Sequence, residues 1–256
     1  MSLTQIALKL AAPLPRLENF DRYLFIGPHP DDIEIGAGAT VSRLTSLGKQ
    51  VSFLICTDGR FGNENTSLHG EELVQARREE SIRSAAMLGV TDVRFLELSD
   101  GGFYTREELL TGIARVIGQV QPEVVFAPDP CVDSECHMDH LNVGQAVRNL
   151  ACFAPYSGIM AGYGAESAQV KALAYYMTAR PNRFVSTRGH VEKQLSAIFS
   201  CHLTQFPPAS PAAASIRLYL KLRALDFGLR SLKGQAEGFR VLGPTQMHCL
   251  PEAGSR

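Results

Sequence analysis

The sequence predicts an α/β protein with a mostly parallel sheet, helices on both faces and an active site at the strand carboxyl ends. Three observations carry this. Between Leu24 and Ala151 a short apolar run followed by a longer helical segment occurs four times. The runs, such as Leu24–Gly27 and Val51–Cys56, lack polar alternation, as strands buried on both faces do. Imidazoles and carboxylates crowd into two of the loops that leave these runs, and open α/β sheets bind ligands at such ends.

Taken in order, Leu24–Gly27 is the first strand and Gly36–Gly48 the first helix, stopped by its last glycine. Val51–Cys56 is the second strand, followed by the polar loop Thr57–Asn65. Glu71–Leu88 has a helical apolar face, ended by Gly89. Val93–Leu98 is the third strand, with exit loop Ser99–Gly102. Thr105 reads as the N-cap of a helix reaching Val120, and Glu123–Ala127 as the fourth strand. The loop Pro128–Glu135 leads to His137, and Asp139–Ala151 is helical. Pro155–Ser167 reads as a mobile surface segment. Short strands follow at Ala172–Met177 and Arg183–Val185, then a helix at His190–Ser200, a loop at Phe206–Ala214 and a helix at Ile216–Leu229. The expected organisation is an N-terminal tail or short helix over residues 1–20, one catalytic domain over 21–240 and a C-terminal tail over 241–256.

Composition narrows the function. Of 256 residues 45% are apolar and 20% charged, the balance of a soluble globular chain. A net charge of −1 gives no footprint for nucleic acid. No apolar run approaches the roughly 20 residues of a membrane span. The first fifteen residues lack the basic start of a signal peptide. Six cysteines do not make a disulfide framework in a chain this long, so a reducing cytoplasm is expected. Cys131 and Cys136 share a loop without the C-x2-C spacing of a structural zinc site.

The chemistry centres on Pro28-His29-Pro30-Asp31-Asp32-Ile33-Glu34 and Cys136-His137-Met138-Asp139-His140. In a tight turn His29 and Asp32, three apart, point to one side. With His140 they form a His2Asp set that leaves a position open, the ligand count of a catalytic zinc. Asp31 is then left as a general base, and His137 as a donor to an oxyanion or leaving group. Crowded Asp31, Asp32 and Glu34 favour a nearby cation. Asp139 either orients an imidazole or caps the helix. Two other classes fit parts of this pattern. One is an iron(II) oxygenase using His29-x-Asp31 with a distant histidine. The other is a non-catalytic sugar- or nucleotide-binding module, although Gly36-Ala37-Gly38 is not a dinucleotide fingerprint.

These stretches resemble the LmbE-like (PIG-L) de-N-acetylases. Pro28 to Gly38 is similar to that family's first motif and His137-Met138-Asp139-His140 to its second, with methionine replacing the usual proline. Thr57-Asp58-Gly59, Arg78-Glu79-Glu80, Lys193, His202 and Gln205 also fall where the family has similar residues. The resemblance implies a Rossmann-like fold and hydrolysis of the N-acetyl group of an N-acetylglucosamine-type sugar. It implies zinc, with iron(II) or manganese as substitutes, held by His29, Asp32 and His140. Asp31 matches the general base and His137 the residue that stabilises the tetrahedral intermediate. Arg78, ahead of its neighbour Arg77, matches an arginine near the substrate, and Asp139 joins it as a candidate contact. The implied partner is a small N-acetylated sugar; a homo-oligomer is compatible with the sequence.

Overall fold

The computed structural model describes residues 2–208 and 210–248. Seven strands form one sheet in the order β3-β2-β1-β4-β5-β7-β6. They are β1 (Arg22–Gly27), β2 (Gln50–Thr57), β3 (Asp92–Leu98), β4 (Val124–Pro128), β5 (Ala172–Tyr176), β6 (Arg183–Ser186) and β7 (Ala236–Leu242). Strands β1 to β5 are parallel, and β7 lies antiparallel between β5 and β6. The expected Rossmann-like, mostly parallel sheet is thus what the chain forms.

Residue alternation divides the core. Leu24 and Ile26 of β1 pack on one face with residues of α4 (Arg106–Val120) and α5 (Met138–Phe153). Tyr23 and Phe25 pack on the other with α2 (Asp32–Ser46) and α3 (Gly70–Leu88). Outside α2 lie α7 (Val191–Cys201) and α8 (Pro211–Ser231), joined to it by a third apolar cluster. An N-terminal helix, α1 (Leu3–Ala11), carries a Ser2/Gln5 capping box. No helix among the described residues is long and apolar enough to cross a membrane.

Four elements depart from the sequence expectation. Helix α2 starts at Asp32, not Gly36, because the proline–aspartate turn ends one residue before the carboxylate that opens the helix. Pro155–Ser167 is not a mobile strap: it contains α6 (Ser157–Gly162), whose Met160 is fully buried in the core. Helix α8 begins at Pro211, capped by Ser210, inside the segment expected as loop. Strand β7 was not expected at all and crosses the residue 240/241 boundary. Its Glu237-Gly238 pair interrupts the apolar pattern, and its partners β5 and β6 lie far away in sequence.

The sheet sets the location of the site. β1 pairs with β2 on one side and β4 on the other, so the chain order reverses between β1 and β4. Crevices at the carboxyl ends of such a pair are where open α/β sheets bind ligands. The loop after β1 carries His29, and the loop after β4 leads to His137. Glycine permits the tight packing there: a side chain at Gly36 would run into the Tyr176 ring.

Candidate active site

His29 stands in the turn between β1 and α2, and Asp32 is the first residue of the helix. The Asp32 Oδ2 accepts the His29 backbone N–H at 2.9 Å and lies 3.0 Å from His29 Nδ1. The same oxygen lies 3.4 Å from His140 Nε2, in the first turn of α5. Ligands at about 2.05 Å in a tetrahedron are about 3.3 Å apart. The Asp32 oxygen is therefore at ligand–ligand spacing from one nitrogen of each imidazole. The three rings also cluster: His29 and His137 centroids are 4.5 Å apart, and His137 and His140 5.1 Å. A grouping of His29, His137 and His140 is itself capable of holding a metal, as is His29 with Asp100, His137 and Asp139. Asp32 approaches two imidazoles at once, while Asp139 has other partners.

Carboxylates hold the outer nitrogens. His29 Nε2 faces Asp139 Oδ2 at 3.1 Å and Asp100 Oδ1 at 3.2 Å. His140 Nδ1 faces Glu135 Oε2 at 3.0 Å, and the other Glu135 oxygen accepts the His137 N–H. Such partners fix the tautomer and ring angle of a metal-ligating histidine. Burial alone would lower His29, but hydrogen bonds to Asp100, Asp139 and Asp32 push it up to about 12. Burial also opposes the charge on His140, yet Asp32 raises it to about 9. Burial would raise Asp32, but His140 and His29 hold it well below the usual carboxylate range. Binding of a metal to these imidazoles would be linked to release of protons.

Asp31 takes a different position. It has a left-handed backbone at φ 117°, uncommon outside glycine and characteristic of functional sites. Its Oδ2 is 3.6 Å from Arg77 Nη2, away from the Asp32 pairings. Burial pushes the Asp31 carboxyl up to about 6 against the pull of the Arg77 guanidinium. His137 caps α5, its Nδ1 accepting the Asp139 N–H at 3.3 Å, and its side chain is about half exposed.

Two expected substrate contacts lie elsewhere. Asp139 is fully buried, accepting from Gly101 N and the Tyr104 hydroxyl besides facing His29. It orients an imidazole and has no surface to offer a substrate. Arg78 pairs with Glu97 and covers the Phe95 ring at 4.3 Å, on the outer side of α3. Arg77, its less favoured neighbour, is the one that enters the site, bonding the carbonyls of Gly59 and Pro30. Asp100, expected only as part of the β3 exit loop, touches His29, and Glu135 was expected only as loop. The local signal for Glu135 was its place two residues before His137 in the ligand-bearing loop.

The chain is similar to known proteins over most of its length. The family model for GlcNAc-PI de-N-acetylase (PIG-L) matches residues 24–151. The chain is 33% identical to the diacetylchitobiose deacetylase of Thermococcus kodakarensis, over 98% of this chain and 93% of that one. It is 30% identical to a 1D-myo-inositol 2-acetamido-2-deoxy-alpha-D-glucopyranoside deacetylase of Kineococcus radiotolerans, covering 67% of this chain and 55% of the relative. The solved N,N'-diacetylchitobiose deacetylase of Pyrococcus horikoshii superposes with a TM-score of 0.86 at 29% identity, covering 98% and 97% of the two chains.

Proposed function

Because the chain belongs to the PIG-L family of de-N-acetylases, we propose that it hydrolyses the N-acetyl group of an N-acetylglucosamine-type sugar at His29, Asp31, Asp32, His137 and His140. The observation that carries the reading is the convergence of His29, Asp32 and His140 beside a separately held Asp31. We assign His29, Asp32 and His140 as ligands of a zinc ion, which suits two imidazoles and a carboxylate. The ion would supply Lewis acidity toward the amide carbonyl and make a water acidic enough to react near neutral pH.

The remaining steps belong to the chain. Asp31, ionised above about pH 6, accepts the proton of the attacking water. The Arg77 guanidinium lies beside that carboxylate and favours its charged form. His137, exposed at the mouth and within ring contact of His29, donates to the developing oxyanion. As the C–N bond breaks, a proton passes to nitrogen, releasing acetate and the free amine. Asp100, Asp139 and Glu135 act only by orienting the histidines. A cytoplasmic location is part of the proposal, since exposed, unpaired Cys131 and Cys136 suit a reducing compartment.

The test is acetate release from N-acetylglucosamine and its β-1,4 dimer by zinc-loaded and chelator-treated protein. Release that depends on metal supports the reading; no acetate from any N-acetylated sugar with metal bound overturns it.

A further inference from the structure

Beside the candidate site lie three large apolar side chains that the hydrolysis itself does not use. Phe61 is 54% exposed, Phe103 72% and Met138 57%. They are contiguous. The Phe61 and Phe103 rings meet edge to face with centroids 5.8 Å apart. Gly101 lies against both rings, and Gly102 lies against the Met138 sulfur. Contiguous exposed apolar side chains, unlike scattered ones, are a feature of interaction sites and ligand-binding grooves.

The patch is also continuous with the site. Met138 directly follows His137. The Gly101 N–H donates to Asp139, which holds His29. The Phe61 N–H points to Asp100, the other carboxylate on His29. The loops after β2, β3 and β4 therefore bring their apolar tips to one side of the three imidazoles. Polar groups stand among those tips: the Arg60 guanidinium, paired with Asp58 and 40% exposed, and Asn142, bonded to the Tyr104 hydroxyl.

A pyranose ring has an apolar C–H face and a rim of hydroxyls, and an aromatic face beside hydrogen-bonding groups matches both. Resting on the proposed sugar deacetylation, we infer that Phe61, Phe103 and Met138 form a platform that stacks the sugar ring next to the one losing its acetyl group. The platform sets the preference for a disaccharide or longer chain over a monosaccharide.

Acetate release and binding by calorimetry separate this from the activity itself. Wild-type protein, Phe103→Ala, Phe61→Ala and Phe103→Tyr are compared on N-acetylglucosamine and N,N'-diacetylchitobiose. The alanine variants should lose on the order of threefold to tenfold in kcat/KM for the disaccharide, stay within about twofold on the monosaccharide, and be rescued by tyrosine. Equal losses on both sugars, or none on either, overturn the platform. Calorimetric binding of deacetylated chitobiose against glucosamine needs no turnover. Weaker chitobiose binding by Phe103→Ala supports the platform even if no acetate is released, a result that would sink only the proposed activity. Wild-type protein that fails to bind chitobiose, or a variant that binds it equally, overturns the platform alone.

Discussion

The loops after β1 and β4 and the segment from α7 to β7 both act on the start of α2, by opposite means. In the first region side chains meet one another around a water-facing opening. In the second they meet the backbone and are hidden. The Gln194 amide donates to the carbonyls of Glu34 and Ile35, while the Glu237 carboxylate accepts from the N–H groups of Ala39 and Thr40. Gln194 and Glu237 also bond each other at 3.0 Å. The pair thus grips α2 by the ladder groups of a single turn, just beyond Asp32. His202, fully buried, faces Glu34 at 3.2 Å, and Thr204 satisfies Glu80 one turn along from Arg77. The difference teaches that reactive groups can be local in sequence while the support that aims them is spread over two hundred residues.

The largest expected effect lies in the first region. Asp31→Asn should keep bound metal and lose about 10²- to 10⁴-fold in kcat, whereas Asp32→Ala should lose the metal itself, read by elemental analysis. A metal-free Asp31→Asn protein would collapse the distinction between the two neighbouring carboxylates. Next comes the second region. His202→Ala leaves Glu34 buried without its partner, which should cost about 3–5 kcal/mol of stability, measured by denaturant unfolding. An unchanged midpoint would mean that the brace contributes nothing.

A smaller effect is expected for the orienting carboxylates. Asp139→Asn and Glu135→Gln should weaken metal affinity about 10- to 100-fold, seen in competition with a chelator, with the fold intact. The smallest concerns pH. The folded Asp31 carboxyl sits at about 6, above the ordinary 3.8, so the folded state holds its proton more tightly than the unfolded chain. That contribution to stability is present below pH 3.8 and lost as pH rises through about 6. The melting temperature of metal-free Asp31→Asn, relative to wild type, should therefore rise between pH 4 and pH 7. A flat difference would remove the burial argument for Asp31.

What the sequence disclosed follows the same division. Strands β1 to β4 were legible because each is a short, mostly apolar run, and Thr105 because a cap and its Glu108 partner lie three residues apart. His29, Asp31, Asp32, His137 and His140 stood out because neighbours in sequence share two strand exits. Asp100 did not, since only the β3 exit loop folding over His29 gives it a partner. Arg77 and Arg78 are adjacent on α3, and helix rotation, invisible in composition, decides which faces inward. Strand β7 depended on distant pairing, and with it the grip of Glu237 on α2.

One phenol links these regions. The Tyr176 hydroxyl donates to the Ile26 carbonyl at 2.8 Å, just before the His29 turn, and its ring fills the space beside Gly36, just after Asp32. Both ends of the reactive span are thus pinned to β5, a strand that contributes nothing chemical. Loops at the mouth are free to diverge toward new substrates while this span keeps its length and pitch.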